Sequence, residues 1–189
     1  MHFVVIDVET ANPDPSSICQ VGVASFRDGQ LHESWESLVN PEDYFNGINV
    51  AIHGIDEQSV RSAPKWNYVP EKLRAWMEGH VVVSHTGFDR AALLRTCEKN
   101  GVAPFECKWL DTVRVAKRAW PALSQSGYGL ANVAAHLKIE FQHHNARDDA
   151  RAAGEILLRA MAETGLTVDQ WLKRATQPII LSVGLRSTR

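Results

Sequence analysis

The 189-residue chain is poor in several features that mark common protein classes. It has only 3 cysteines, Cys19, Cys97 and Cys107, which are scattered and form no C-x-x-C pair. That argues against a disulfide framework or a structural zinc site. Each is expected to be a small buried residue, and a reducing cytoplasm is the expected compartment. No run approaches the ~18 apolar residues of a membrane-spanning helix. The start, Met1-His2-Phe3-Val4-Val5-Ile6-Asp7, lacks both the basic opening and the cleavage site of a secretion signal. Basic surplus is missing too: 20 Lys and Arg against 22 Asp and Glu leave −2 with neutral histidines. A polybasic protein that coats long polyanions is thereby excluded. What remains is 44% hydrophobic and 22% charged, a balance that excludes intrinsic disorder and suits one domain able to bury its own core.

Patterning along the chain points to an α/β fold. Residues 1–8 open with a continuous apolar run, as a central strand covered on both faces requires. Residues 18–26 and 31–39 flank Arg27-Asp28-Gly29-Gln30, whose Asp-Gly pair signals a hairpin. Three antiparallel strands are therefore expected first. A polar stretch with short helical pieces follows over 40–70. Then come a helical stretch at 71–77, a buried strand at 81–83, a helix over 88–99 stopped by Asn100-Gly101, and a fifth strand at 109–111. Helices are expected over 112–119, 130–137 and 146–162. The whole predicts a mixed five-stranded sheet, three antiparallel strands then parallel ones, flanked by helices. Residues 165–189, with a short helix near 168–174 and Ile179-Ile180-Leu181 beyond it, read as an appendage or linker to a unit spanning 1–164.

Chemistry enters through three groups of carboxylates. Asp7 and Glu9 lie two apart at the end of the first strand, so both project from one face of the sheet. Like charges held together in a buried setting must be neutralised, which a hard divalent cation does well. Asp89 opens the helix that follows Ser84-His85-Thr86-Gly87-Phe88, and lies on the edge of its apolar face. In the third group, positions 149, 153, 156, 157 and 160 form one apolar stripe that carries Asp149 inward. Positions 148, 151, 155 and 159 read Asp, Arg, Glu, Arg, a solvated face that places Asp148 outside. His144 precedes this helix and can reach the same place. Four acids and a histidine of near-neutral pKa suit two divalent cations, Mg²⁺ or Mn²⁺, with a general base that takes a proton from attacking water.

The motifs resemble those of the DEDDh 3′–5′ exonucleases, a family that includes the proofreading epsilon subunit of bacterial DNA polymerase and ribonuclease T. Asp7-Val8-Glu9-Thr10 resembles the first motif and His85-Thr86-Gly87-Phe88-Asp89 the second. His144-Asn145-Ala146-Arg147-Asp148-Asp149-Ala150 resembles the third, with its histidine five before the acid. His53-Gly54-Ile55 resembles a family segment near the terminal nucleotide. The resemblance implies a ribonuclease H-like fold and hydrolysis from 3′ ends of DNA, or of RNA, releasing nucleoside 5′-monophosphates. It implies that Asp7, Glu9, Asp89 and Asp149 hold two metals and that His144 is the general base. Thr10, His53, Ile55 and Phe88 would line the terminal-nucleotide pocket. The implied partner is a single-stranded or frayed nucleic-acid 3′ end. A polymerase or repair partner, or a further C-terminal domain, stays open, as does a non-catalytic binding module on the same fold. Many relatives carry Asn where this chain has His85.

The remaining features read as structural. Trp35, Trp66, Trp76, Trp109, Trp120 and Trp171 are expected to pack rather than stack bases. Arg114, Lys117 and Arg118, and Arg147 and Arg151, read as solvated faces before a phosphate path. His2, His32, His80, His136 and His143 show no ligand spacing and are expected to be structural or exposed.

Overall fold

The expected strands assemble into one mixed sheet: β1 (His2–Thr10), β2 (Ile18–Arg27), β3 (Gln30–Leu38), β4 (Val81–Ser84) and β5 (Lys108–Asp111). Their spatial order is β3-β2-β1-β4-β5, with β1–β2 and β2–β3 antiparallel and β1–β4 and β4–β5 parallel. These relations come from a computed structural model, which describes residues 2–179. The β2–β3 hairpin turns at Asp28 and Gly29, both with positive φ (51° and 83°), the twist-matching geometry that the Asp-Gly signal predicts.

Seven α-helices flank the sheet among the described residues: α1 (Gly47–His53), α2 (Pro70–Met77), α3 (Phe88–Lys99), α4 (Thr112–Ala119), α5 (Leu130–Leu137), α6 (Ala146–Thr164) and α7 (Val168–Thr176). None is long and apolar enough to cross a membrane. Alternate residues of β1 divide the core. Val4, Ile6 and Val8 pack with Leu73 and Met77 of α2 and Leu93 of α3 on one face. Phe3 and Val5 pack on the other with Ala150, Ala153, Ile156 and Leu157 of α6, together with parts of α4, α5 and α7.

Several boundaries differ from the sequence reading. β1 continues to Thr10, one residue past Glu9, because β2 pairs with it as far as Glu9↔Gln20 and Thr10↔Ile18. Asp7 and Glu9 therefore sit within a hydrogen-bonded strand. α6 runs to Thr164, two residues further than expected, and ends where Gly165 turns left-handed (φ 70°). α7 reaches Thr176 and inserts Val168, Trp171 and Ala175 into the core. The expected segment Ile180-Leu181 and the polar end lie outside the described residues.

The tryptophans pack as expected: Trp66, Trp120 and Trp171 are buried, and Trp35, Trp76 and Trp109 pack half-buried against the core. Cys19 and Cys97 are buried free thiols and Cys107 is half-buried. Burial pushes the Cys19 thiol up to about 12, so it stays protonated and unreactive at neutral pH.

Candidate active site

The site forms where β1, α3 and α6 converge, and one glycine makes the closest approach possible. Gly22 of β2 stands opposite Asp7 in the ladder. A Cβ built there would lie 2.1 Å from the backbone of Ala146 and Arg147, at the start of α6. Only a residue without a side chain lets α6 come down onto the sheet here. Two polar anchors fix that helix end. Gln20 Oε1 accepts from the Ala146 N–H at 3.2 Å, and the Asn145 cap accepts from the Asp148 N–H at 3.1 Å. Arg147 adds an ion pair to Glu36 of β3 at 3.1 Å.

This anchoring brings Asp149 over β1. Carboxylate oxygens of Asp7, Glu9 and Asp149 lie within 4.8 Å of one another. Asp89 joins from α3: it is buried, and its Oδ1 accepts the Val8 N–H at 3.1 Å, tying the start of α3 to β1. Asp89 lies outside the three-carboxylate group, yet its charge bears on both Asp7 and Glu9. The inward reading of Asp149 and outward reading of Asp148 both match the structure. Asp149 is 3% exposed, whereas Asp148 pairs with Arg151 at 2.8 Å on the helix surface. Arg151 also meets Glu155, so it serves the helix face.

Burial raises the pKa of all four acids. Burial and then the neighbouring Asp89, Asp149 and Glu9 hold Asp7 well above the ordinary carboxylate range. Glu9 rises from its ordinary 4.5 to about 7, through burial first and then Asp149 and Asp89. Burial likewise lifts Asp89 to about 7 against two backbone hydrogen bonds that favour its charged form. Asp149 is raised by burial, opposed by His143. Oxygen donors converging under this mutual repulsion are the donor set that a hard divalent cation prefers.

His144 stands at the rim with 40% of its side chain exposed and Nδ1 3.9 Å from Glu9 Oε1. Its backbone N–H donates to Asp149 Oδ2 at 3.1 Å, so the histidine and the acid are fixed to each other. Burial, then the neighbouring His143 and His53, lower its pKa and keep the imidazole neutral at pH 7.

The four residues expected at the nucleotide pocket divide into two kinds. Thr10 and His53 are joined through the backbone: Thr10 O accepts from Asn49 Nδ2 at 2.9 Å and from His53 Nε2 at 3.1 Å. The Ile55 N–H donates to His53 Nδ1 at 3.0 Å, so the ring is a neutral Nε2–H tautomer with both nitrogens engaged. Ile55 is buried against Ala11, Cys19 and Val60. Phe88 differs, being 43% exposed beside Asp89. His85 is buried: its Nε2–H donates to Tyr128 O at 2.9 Å and Thr112 Oγ1 lies 2.8 Å from Nδ1. It braces β4 against α4 and the turn before α5.

His143 is exposed, as expected, and it makes one contact that the sequence reading did not foresee. Its Nδ1 lies 3.2 Å and 3.3 Å from the two Asp149 oxygens, and its ring stacks on His144 with centroids 3.8 Å apart. Spacing alone missed it because a strand-free loop brings adjacent residues to one carboxylate. The His-His doublet beside the third motif was the available signal. Gly22 was missed too; the one sign of it in the sequence is an isolated glycine inside an apolar strand, which does not say what approaches it.

Residues 4–157 match the family model RNase_T, described as exonuclease. The chain belongs to this exonuclease family. It is 28% identical over 172 residues to a PolC-type DNA polymerase III of Thermotoga petrophila, covering 87% of this chain and 12% of the polymerase. It is 29% identical over 165 residues to the 3′–5′ exonuclease DinG of Bacillus subtilis, covering 85% of this chain and 18% of DinG. The chain thus spans a small fraction of these relatives. Its fold matches that of exonuclease X, solved in complex with 5′-overhanging duplex DNA, with TM-score 0.73 and 22% identity over 92% of this chain and 99% of that one. The exonuclease family expected from the motifs holds on sequence, and the mixed five-stranded sheet matches the expected fold.

Proposed function

We propose that this chain, with residues 1–164 as its nuclease unit and α7 (Val168–Thr176) packed onto it, removes nucleotides from DNA 3′ ends and releases nucleoside 5′-monophosphates. The observation that carries the reading is the convergence of Asp7, Glu9 and Asp149 oxygens within 4.8 Å, with the His144 ring beside them. Oxygen donors of this kind fit Mg²⁺ or Mn²⁺. Two such ions, held by Asp7, Glu9, Asp89 and Asp149, would supply charge stabilisation to the attacking and departing oxygens of the phosphodiester.

The chain's own residues do the rest. Neutral His144 takes the proton of the attacking water, and its exposure leaves room for that water and for the strand end. Asp149 holds His144 through the backbone N–H, so base and ligand move as one unit. Thr10, His53 and Ile55 form the floor of the terminal-nucleotide pocket, and exposed Phe88 offers a face to the last base. Near-balanced net charge suits a grip on a short single-stranded or frayed end: two divalent ions would take the formal total from −2 to +2.

The test is digestion of DNA and RNA strands labelled at the 5′ end, with Mg²⁺, Mn²⁺ or chelator. A ladder shortening from the 3′ end, mononucleotide product and silence in chelator are expected. Internal cuts, or cleavage that survives chelator, would contradict the reading. The RNA lanes decide between DNA and RNA 3′ ends.

A further inference from the structure

We propose that His143, His144 and Asp149 form a second kind of metal site, one of nitrogen character that takes Zn²⁺ and switches the nuclease off. A ring nitrogen from each histidine and a carboxylate oxygen of Asp149 lie within 4.8 Å of one another. This set is distinct from the all-oxygen group of Asp7, Glu9 and Asp149, and the two share only Asp149.

Three features favour it. The imidazoles lie next to each other, centroids 3.8 Å apart and stacked, and each must turn about its Cβ–Cγ bond to bring its in-plane lone pair onto one ion. Asp149 is fixed by the His144 N–H at 3.1 Å, so the carboxylate is aimed before an ion arrives. Access is open: the side chains of His143 and His144 are 39% and 40% exposed, whereas that of Asp149 is 4% exposed. An entering ion takes the place of the hydrogen between His143 Nδ1 and the Asp149 carboxylate, and a fourth position is left to water.

Donor chemistry separates the ions. Imidazole nitrogen prefers borderline transition metals, and Zn²⁺ binds N₂O sets tetrahedrally, whereas Mg²⁺ wants an octahedron of oxygens. The surrounding acids Asp7 and Glu9 add a field that draws in any dication. Zn²⁺ at this place removes the His144 lone pair and takes Asp149 from the oxygen set. It therefore competes with Mg²⁺ instead of substituting for it.

The experiment needs no nucleic acid, so its outcome is separate from that of the nuclease assay. Metal-free full chain is titrated with Zn²⁺ and, separately, with Mg²⁺ by calorimetry, and the zinc-loaded protein is measured by X-ray absorption at the zinc edge. One tight Zn²⁺ per chain with two imidazoles in its shell at about 2.0–2.1 Å is expected. In His143→Ala, the ratio of Zn²⁺ to Mg²⁺ affinity falls at least ~10-fold, the scale of a lost contact in a metal sphere. An oxygen-only shell in the wild type, or an unchanged ratio in the variant, overturns the proposal. The absorption measurement stands on the wild type alone, whatever the variant's folding.

Discussion

Phe3 and Val5 at the start of β1 face the same helix as Asp7 and Glu9 near its end, and the two pairs do opposite things to the fold. The first pair meets Ala153, Ile156 and Leu157 of α6 in a dry interface that includes the stacked rings of Phe3 and Phe26, 5.1 Å apart. Each large apolar side chain buried there contributes roughly 1.5–3 kcal/mol. The second pair meets Asp149 at the other end of the same helix, and burial, then Asp149 and Asp89, raise the pKa of both Asp7 and Glu9. One strand and one helix thus divide the work: the apolar half holds α6 in register so that the acidic half can be held together against its own repulsion. Stability is given up at the acidic end for chemistry.

The largest expected effect breaks the acidic half alone. Asp7→Asn should abolish Mg²⁺-dependent hydrolysis of a 3′ end, while the metal-free variant melts no lower than wild type at pH 8. An Asn that retained full hydrolysis would remove Asp7 from the site. Next in size, His144→Ala should slow single-turnover hydrolysis at least ~10²-fold, the usual loss for a general base, with Mg²⁺ affinity kept. Equal rates would take the imidazole out of the mechanism.

The apolar half should fail in the other direction. Leu157→Ala is expected to lower unfolding free energy by about 2–5 kcal/mol in urea melts and to leave the activity per folded molecule intact. Gly22→Ala lies between the halves, because a Cβ there meets backbone 2.1 Å away. It should lower stability by about 1–3 kcal/mol and also reduce activity, since the start of α6 must lift Asp149 away from Asp7. Full activity in Gly22→Ala would mean that this close approach does not position the acid.

A last prediction sharpens the comparison through pH. Glu9 and Asp89 titrate at about 7 when folded, against ordinary values of 4.5 and 3.8. Between roughly pH 4 and 7 the folded chain therefore binds more protons than the unfolded one, and stability falls as pH rises through that window. Metal-free protein should lose melting temperature from pH 5 to pH 8, and added Mg²⁺ should raise it more at pH 8. A Mg²⁺ shift independent of pH would deny the acids their part.

Much of this arrangement was legible in the sequence, for a physical reason. The apolar stripe of α6 has a period set by helix geometry, so it told Asp149 from Asp148 without knowledge of the fold. The two-residue spacing of Asp7 and Glu9 likewise placed them on one face. What stayed hidden depends on contacts between distant segments. The extension of β1 to Thr10 comes from pairing with β2, and the fit of Gly22 beneath Ala146 joins residues far apart in the chain. His143 reaches Asp149 through a loop in which His144 takes a positive φ of 66°, a conformation that no periodicity encodes. His85 read as a departure from the motif and is a buried brace, because its two partners come from α4 and the turn before α5.

The central claim, that the acidic end of the β1–α6 interface exists to hold divalent cations, is tested most directly by Mn²⁺ titration calorimetry on the wild type and Asp149→Ala at neutral pH. Two ions per chain in the wild type, and loss of that binding in a variant that still melts cooperatively, are expected. Wild-type protein that takes up no Mn²⁺, or an Asp149→Ala chain that binds it unchanged, would contradict the account.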